Sequence, residues 1–124
     1  MRLAGKMSNK QKEEVRVIML NSKNVIVGIK ILAIGSINAA SVSAKEVLTE
    51  PIKQMVPSII LAHNHPSGDS TPSRADILFT KKMVDYCNMF DISLKDHIVI
   101  GNGEYTSIRQ ENENIFLKEG AHKL

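Results

Sequence analysis

A chain of 124 residues, 43% hydrophobic but only 4% aromatic, has room for one domain with an aliphatic core and not for a second. Its net charge of +3 comes from lysines and arginines spread along the chain, with no run longer than Lys81-Lys82, and few aromatics stand ready to stack on bases, so autonomous nucleic-acid binding is not expected. No apolar run approaches a membrane span, the first twelve residues lack the hydrophobic stretch of a signal peptide, and the single cysteine, Cys87, leaves no internal disulfide, a combination that fits a reducing cytoplasm.

Residues 1–11 read as a polar lead-in, 12–110 as the domain and 111–124 as a polar tail. Strands are expected over 15–20 and 25–34, joined as a hairpin by Asn21-Ser22-Lys23-Asn24. A helix over 43–55 follows, with Pro51 expected to end or kink it, because an interior proline removes a hydrogen bond and clashes with the preceding turn. The apolar, β-forming run Ser58-Ile59-Ile60-Leu61-Ala62 predicts a buried strand that ends at His63. Pro66, Gly68 and Pro72 punctuate a turn. From Ser73 to about Phe90, Ala75, Phe79, Met83, Tyr86 and Phe90 recur at helical spacing. A strand over 94–100, a short one over 105–108 and a last helical turn or two around Ile115-Phe116-Leu117 complete the chain. Strands alternating with helices predict an α/β fold, a sheet covered by helices. Cys87 falls in the amphipathic helix with no histidine near it in sequence, as a small core residue would.

The chemistry concentrates in residues 63–76, His-Asn-His-Pro-Ser-Gly-Asp-Ser-Thr-Pro-Ser-Arg-Ala-Asp, which hold half of the four histidines. Strand alternation points His63 and His65 to one side of the sheet. Asp76 falls in the first turn of the following helix, where free N–H groups and the positive end of the dipole keep a carboxylate ionised. Two imidazoles and a carboxylate, with a fourth position left to water, is the open ligand set of catalytic zinc. Each part also has a plainer reading: Ser73-x-x-Asp76 fits a helix capping box, and a His-x-His pair alone is more often a surface pair. The conjunction favours a metal, because an unpaired imidazole at the mouth of an apolar strand is costly and the turn folds the acid back toward it.

The run His63-x-His65-Pro66 followed by Ser73-x-x-Asp76 resembles the motif of the JAMM (JAB/MPN) metalloprotease superfamily, and the full fourteen-residue string resembles its RadC branch. The likeness extends through Leu20-Asn21-Ser22-Lys23-Asn24 upstream, and through Asp96-His97-Ile98-Val99-Ile100-Gly101 and Tyr105-Thr106-Ser107 downstream, so it covers residues 12–108. Asn21 departs from the aspartate usual there. The resemblance implies a mixed sheet flanked by helices in the JAB/MPN, cytidine-deaminase-like fold. It also implies Zn2+ on His63, His65 and Asp76, an oxyanion-stabilising role for Ser73, and a general-base glutamate at the start of the first strand.

Glu13 and Glu14 compete for that last place. Glu13 shares strand parity with Val15, Val17 and Met19, whereas Glu14 shares it with Arg16. Glu13 would therefore face the apolar interior, where a carboxylate needs a reason, and aligning Leu20-Asn21 with the family's Leu-Asp also selects it. The plainer reading makes both acids the solvated mouth of a strand; Glu46 is a third, weaker candidate. Asp96-His97 reads either as an outer pair orienting a ligand or as structural, and stays out of the metal's own ligands. His122 reads as exposed and idle.

The expected function is a zinc-dependent hydrolase of a peptide or isopeptide bond, with a peptide or protein substrate that nothing in the residues specifies and an oligomeric state left open. RadC proteins carry a DNA-repair label and usually an N-terminal helix-hairpin-helix region. This chain starts too late to hold one, so DNA association is expected only through a region it lacks. The competing expectation is a DNA-associated or protein-interaction module with a structural or vestigial metal site. A nucleoside deaminase would need a Pro-Cys-x-x-Cys ligand pair, which one cysteine cannot supply.

Overall fold

The computed structural model describes residues 13–33 and 42–117. Five strands form one mixed sheet: β1 Glu14–Leu20, β2 Ile26–Ala33, β3 Ser58–Asn64, β4 Ser93–Ile100 and β5 Tyr105–Ser107, in the spatial order β2-β1-β3-β4-β5. The helices are α1 Ala44–Lys53, α2 Arg74–Met89 and the single turn α3 Ile108–Glu111, followed by a 3-10 turn at Glu113–Phe116. All neighbouring strands run antiparallel except β3 and β4, which are parallel and joined through α2, as a parallel pair requires a crossover. This is the α/β architecture that strand and helix patterning predicts.

The hairpin turns where Asn21 caps it: its side chain accepts from the N–H groups of Lys23 and Val25, and Asn24 takes a left-handed conformation (φ 62°) that asparagine tolerates. An amide at position 21 thus does by itself what a turn-capping carboxylate would do. Position 34, expected at the end of β2, and His122 lie outside the described residues.

Both long helices pack on one face of the sheet. There Val15, Val17 and Met19 of β1, Ile59 and Leu61 of β3, and Leu94 and Val99 of β4 meet Val47 and Leu48 of α1 and Phe79, Met83, Val84 and Cys87 of α2. On the other face Ile18, Leu20, Ala62, Ile98 and Ile100 form a smaller cluster that no described helical residue joins. Burial in the main core pushes the Cys87 thiol up to about 12, so it is an inert packing residue at neutral pH.

Two expectations about the helices need correction. Pro51 does not end α1, which runs on to Lys53; its ring is buried against the core, and Gln54, Met55 and Val56 still find backbone acceptors at Glu50, Ile52 and Pro51. In α2 the inward stripe is Asp76, Phe79, Thr80, Met83, Val84 and Cys87. Ala75, Tyr86 and Phe90 are exposed or largely so. Apolar periodicity missed this because two of the buried positions, Asp76 and Thr80, are polar. Likewise β5 ends at Ser107, which caps α3 by accepting from the Gln110 N–H, so Ile108 is helical.

The loop after β3 is locked to the β4–β5 turn by backbone approach. Asn102 N–H donates to Gly68 O at 2.7 Å, Gly68 takes φ +90°, and a Cβ added to Gly101 would stand 2.3 Å from Gly68 O and 2.8 Å from Ser70 N. Both obstacles are backbone, so neither can turn aside. Gly101→Ala is expected to destabilise the domain by about 1–3 kcal/mol through forced backbone displacement, read as a lower urea midpoint at unchanged slope. Unaltered stability would contradict this close approach.

Candidate metal centre

Strand β3 carries the first histidine to the sheet's edge of function. His63 is paired with Val15 of β1 and Val99 of β4, residues of the helix-covered face, and its ring is fully buried. The parallel pairing continues one step past the strand, with His65 N–H donating to Ile100 O at 2.8 Å. The extended geometry therefore persists long enough for His65 to join His63 on the same side. The two ring centroids are 4.9 Å apart.

Helix α2 supplies the acid. Ser73 is its N-cap: the Asp76 N–H donates to Ser73 Oγ at 3.0 Å and the Ser73 N–H donates to Asp76 Oδ2 at 2.7 Å, a complete capping box. The cap and the ligand readings of Ser73-x-x-Asp76 are thus compatible, since the box leaves Asp76 facing the histidines. Its Oδ2 lies 2.9 Å from His65 Nε2 and its Oδ1 3.2 Å from His63 Nε2. Burial pulls the Asp76 carboxyl up, but His63 and the Ser73 hydrogen bonds outweigh it and hold the pKa below the ordinary carboxylate range.

One ligand atom from each of His63, His65 and Asp76 lies within 4.8 Å of the others, and the hydrogen bonds around them suit a cation. The Asp69 carbonyl, which can only accept, lies 2.8 Å from His65 Nδ1, so that nitrogen bears a proton, and Nε2, 2.9 Å from Asp76 Oδ2, is the atom that could ligate. His63 Nε2 is buried and makes no hydrogen bond although Asp76 Oδ1 is close. Buried polar atoms are nearly always satisfied, and this one is aimed at the space between the two other donors. Three donor atoms converging this way could hold a divalent metal ion.

Behind His63 stands His97. The pair Asp96-His97 divides its labour: Asp96 Oδ1 accepts from the N–H groups of His97 and Arg109, and Oδ2 from the Ser107 hydroxyl. The carboxylate therefore braces the β4–α3 connection instead of orienting an imidazole. The His97 ring alone reaches the site, with Nε2 at 2.7 Å from His63 Nδ1 and Nδ1 at 2.6 Å from Thr80 Oγ1. Burial, and then the neighbouring His63, push its pKa well below the usual histidine value. His97 lies in the middle of β4, not at a strand start.

The candidate bases separate. Glu14 pairs with Arg16 at 3.1 Å, two residues along and on the face away from His63. Glu13 directly precedes β1, half-buried and of the same parity as Val15, the cross-strand neighbour of His63. The Glu46 carboxylate is taken up at the start of α1, where it accepts from the Ser43 N–H and hydroxyl. Two residues that sequence reading missed support the site. Thr80 lies one helical turn after Asp76, the spacing that could have revealed it. Asn64 accepts the Glu14 N–H at 2.8 Å and so ties the start of β1 to the end of β3.

Among known proteins, a UPF0758 protein of Moorella thermoacetica is 42% identical over 101 residues, 82% of this chain and 44% of that protein. One of Clostridium acetobutylicum is 46% identical over 100 residues, 81% of this chain and 44% of that protein; one of Lactococcus lactis is 39% identical over 116 residues, 94% and 51%. The chain spans about half the length of these relatives. The RadC-like JAB domain family model matches residues 1–114, across the strand, turn and helix that gather His63, His65 and Asp76, and the chain belongs to that family.

Proposed function

We propose that the domain is a zinc-dependent hydrolase that cleaves a peptide or isopeptide bond in the cytoplasm. The observation that carries this reading is the open three-donor cluster of two Nε2 atoms and one carboxylate, which leaves a coordination position for water; a purely structural ion is more often enclosed by four protein ligands. What zinc supplies when bound in such a site is Lewis acidity and a water whose pKa falls to about 7.

The chain's own residues would do the rest. His63, His65 and Asp76 hold the ion, and the capping box fixes Asp76 in the helix's first turn. Glu13, on the parity of the metal face, takes the proton from the attacking water and returns it to the leaving amine. Ser73 accepts the Asp76 N–H, and a hydroxyl that accepts one bond keeps its proton to donate, here to the oxygen that becomes negative as the carbonyl is attacked.

Three outcomes are expected. Purified protein binds about one zinc per chain by elemental analysis, and the His63→Ala/His65→Ala double variant binds none; stoichiometric zinc in that variant would refute the ligand set. With a cleavable peptide identified from a library, Glu13→Gln keeps metal and fold but loses turnover, because the amide keeps the shape and not the basicity, whereas Glu14→Gln loses only an ion pair with Arg16 and is nearly silent. The reverse pattern would place the base on the other parity. Ser73→Ala costs about 1 kcal/mol of stability through the lost cap and lowers turnover by on the order of 100-fold with zinc still bound. Full turnover would reduce Ser73 to a helix cap.

A further inference from the structure

We infer that Thr80 and His97 are positioning residues: together they form a one-way hydrogen-bond relay that holds His63 with its proton on Nδ1 and its Nε2 turned to the ion. The relay rests on the metal reading above for its purpose, but its direction follows from hydrogen-bond donors and acceptors together with the burial of His97 away from any carboxylate of its own.

The chain of reasoning starts at an atom that can only accept. The Thr80 hydroxyl lies 2.7 Å from the backbone carbonyl oxygen of Asp76, so the hydroxyl proton points there. The same oxygen lies 2.6 Å from His97 Nδ1. Its proton already committed, it can only accept, and His97 Nδ1 must carry the hydrogen. His97 is fully buried, and the adjacent Asp96 carboxylate is occupied by the His97 backbone N–H, Ser107 and Arg109. The ring has no counter-charge of its own, so the neutral form with a bare Nε2 is the one the site accommodates. That bare nitrogen lies 2.7 Å from His63 Nδ1, which is therefore the donor. Nδ1 of His63 thus holds a hydrogen, and Nε2 is the atom turned toward Asp76 and toward a metal.

Two features of the fold support this relay. Thr80 is a hydroxyl in the helix's buried stripe, one turn beyond Asp76, so helix periodicity stacks the support directly behind the ligand. In β4 the register shifts by one residue: Ile59 pairs with Leu94 but Ile60 pairs with Asp96. That bulge at Lys95 lets Leu94 and His97, three residues apart, face the same side; in a regular strand His97 would point away from His63.

The test uses the full chain and begins without any variant. Long-range nitrogen–proton NMR of the metal-free protein should find the Nδ1 atoms of both His63 and His97 protonated and His97 Nε2 bare. A bare His63 Nδ1 or a protonated His97 Nε2 would overturn the relay. Thr80→Val, which replaces the hydroxyl by a methyl of like shape, should then loosen zinc binding by about 10–100-fold in chelator competition, and Thr80→Ser should restore it. Zinc bound as tightly by a folded Thr80→Val protein as by the unmodified chain overturns the positioning role while the metal reading stands. The expected protonation pattern in a protein that binds no zinc upholds the relay and defeats the metal reading instead.

Discussion

The Asp76 carboxylate stands 2.9 and 3.2 Å from two imidazole nitrogens, and this crowding of electron-rich atoms is what the surrounding structure is arranged to sustain. Left to themselves such groups would separate or find water. Here they cannot: His63 lies one residue from the end of a strand hydrogen-bonded on both sides, and Asp76 is pinned by reciprocal bonds with Ser73. Rigid elements hold the donors together before any ion arrives. A site preorganised in this way loses little on binding to ordering its own ligands.

The capping box shows how one local device meets two demands. A helix start needs acceptors for its free N–H groups, and a cation site needs an ionised carboxylate at a fixed place. Asp76 answers both, its Oδ2 accepting the Ser73 N–H while the carboxylate faces the histidines. The hydrogen bond also lowers the affinity of the carboxyl for its proton, so the ion would meet an anion and not an acid. Stability of the helix start and readiness of the ligand are coupled through the same two residues.

Much of this was legible in the sequence, and the limits have physical causes. The His-x-His pair, the turn residues and the serine three before the acid are all local signals with fixed spacing, so the strand, the cap and the three donors could be read without a structure. What could not be read depended on contacts between elements. Of the pair Asp96-His97 only the histidine reaches His63, and the bulge at Lys95 that decides which face it takes leaves no mark in an alternating strand pattern. Pro51 was expected to end or kink α1, but the helix runs on for two more residues with the proline buried. Tyr86 and Phe90 recur at helical spacing with Phe79 and Met83, yet the helix is rotated so that they are exposed and Asp76 and Thr80 point inward.

That rotation connects the fold to its chemistry. A helix packed purely for hydrophobic burial would present only apolar side chains to the sheet. Here α2 gives up two buried positions in its first two turns to polar groups, then reverts to Met83, Val84 and Cys87. A buried polar group is tolerated only when it is satisfied. Thr80 has Asp76 O and His97 as partners, and Asp76 has Ser73 and His65. Only His63 Nε2 is left over among the described side chains. The network is closed everywhere except at the one atom where a ligand would complete it, and the apolar end of the same helix supplies the packing that keeps the polar end in place.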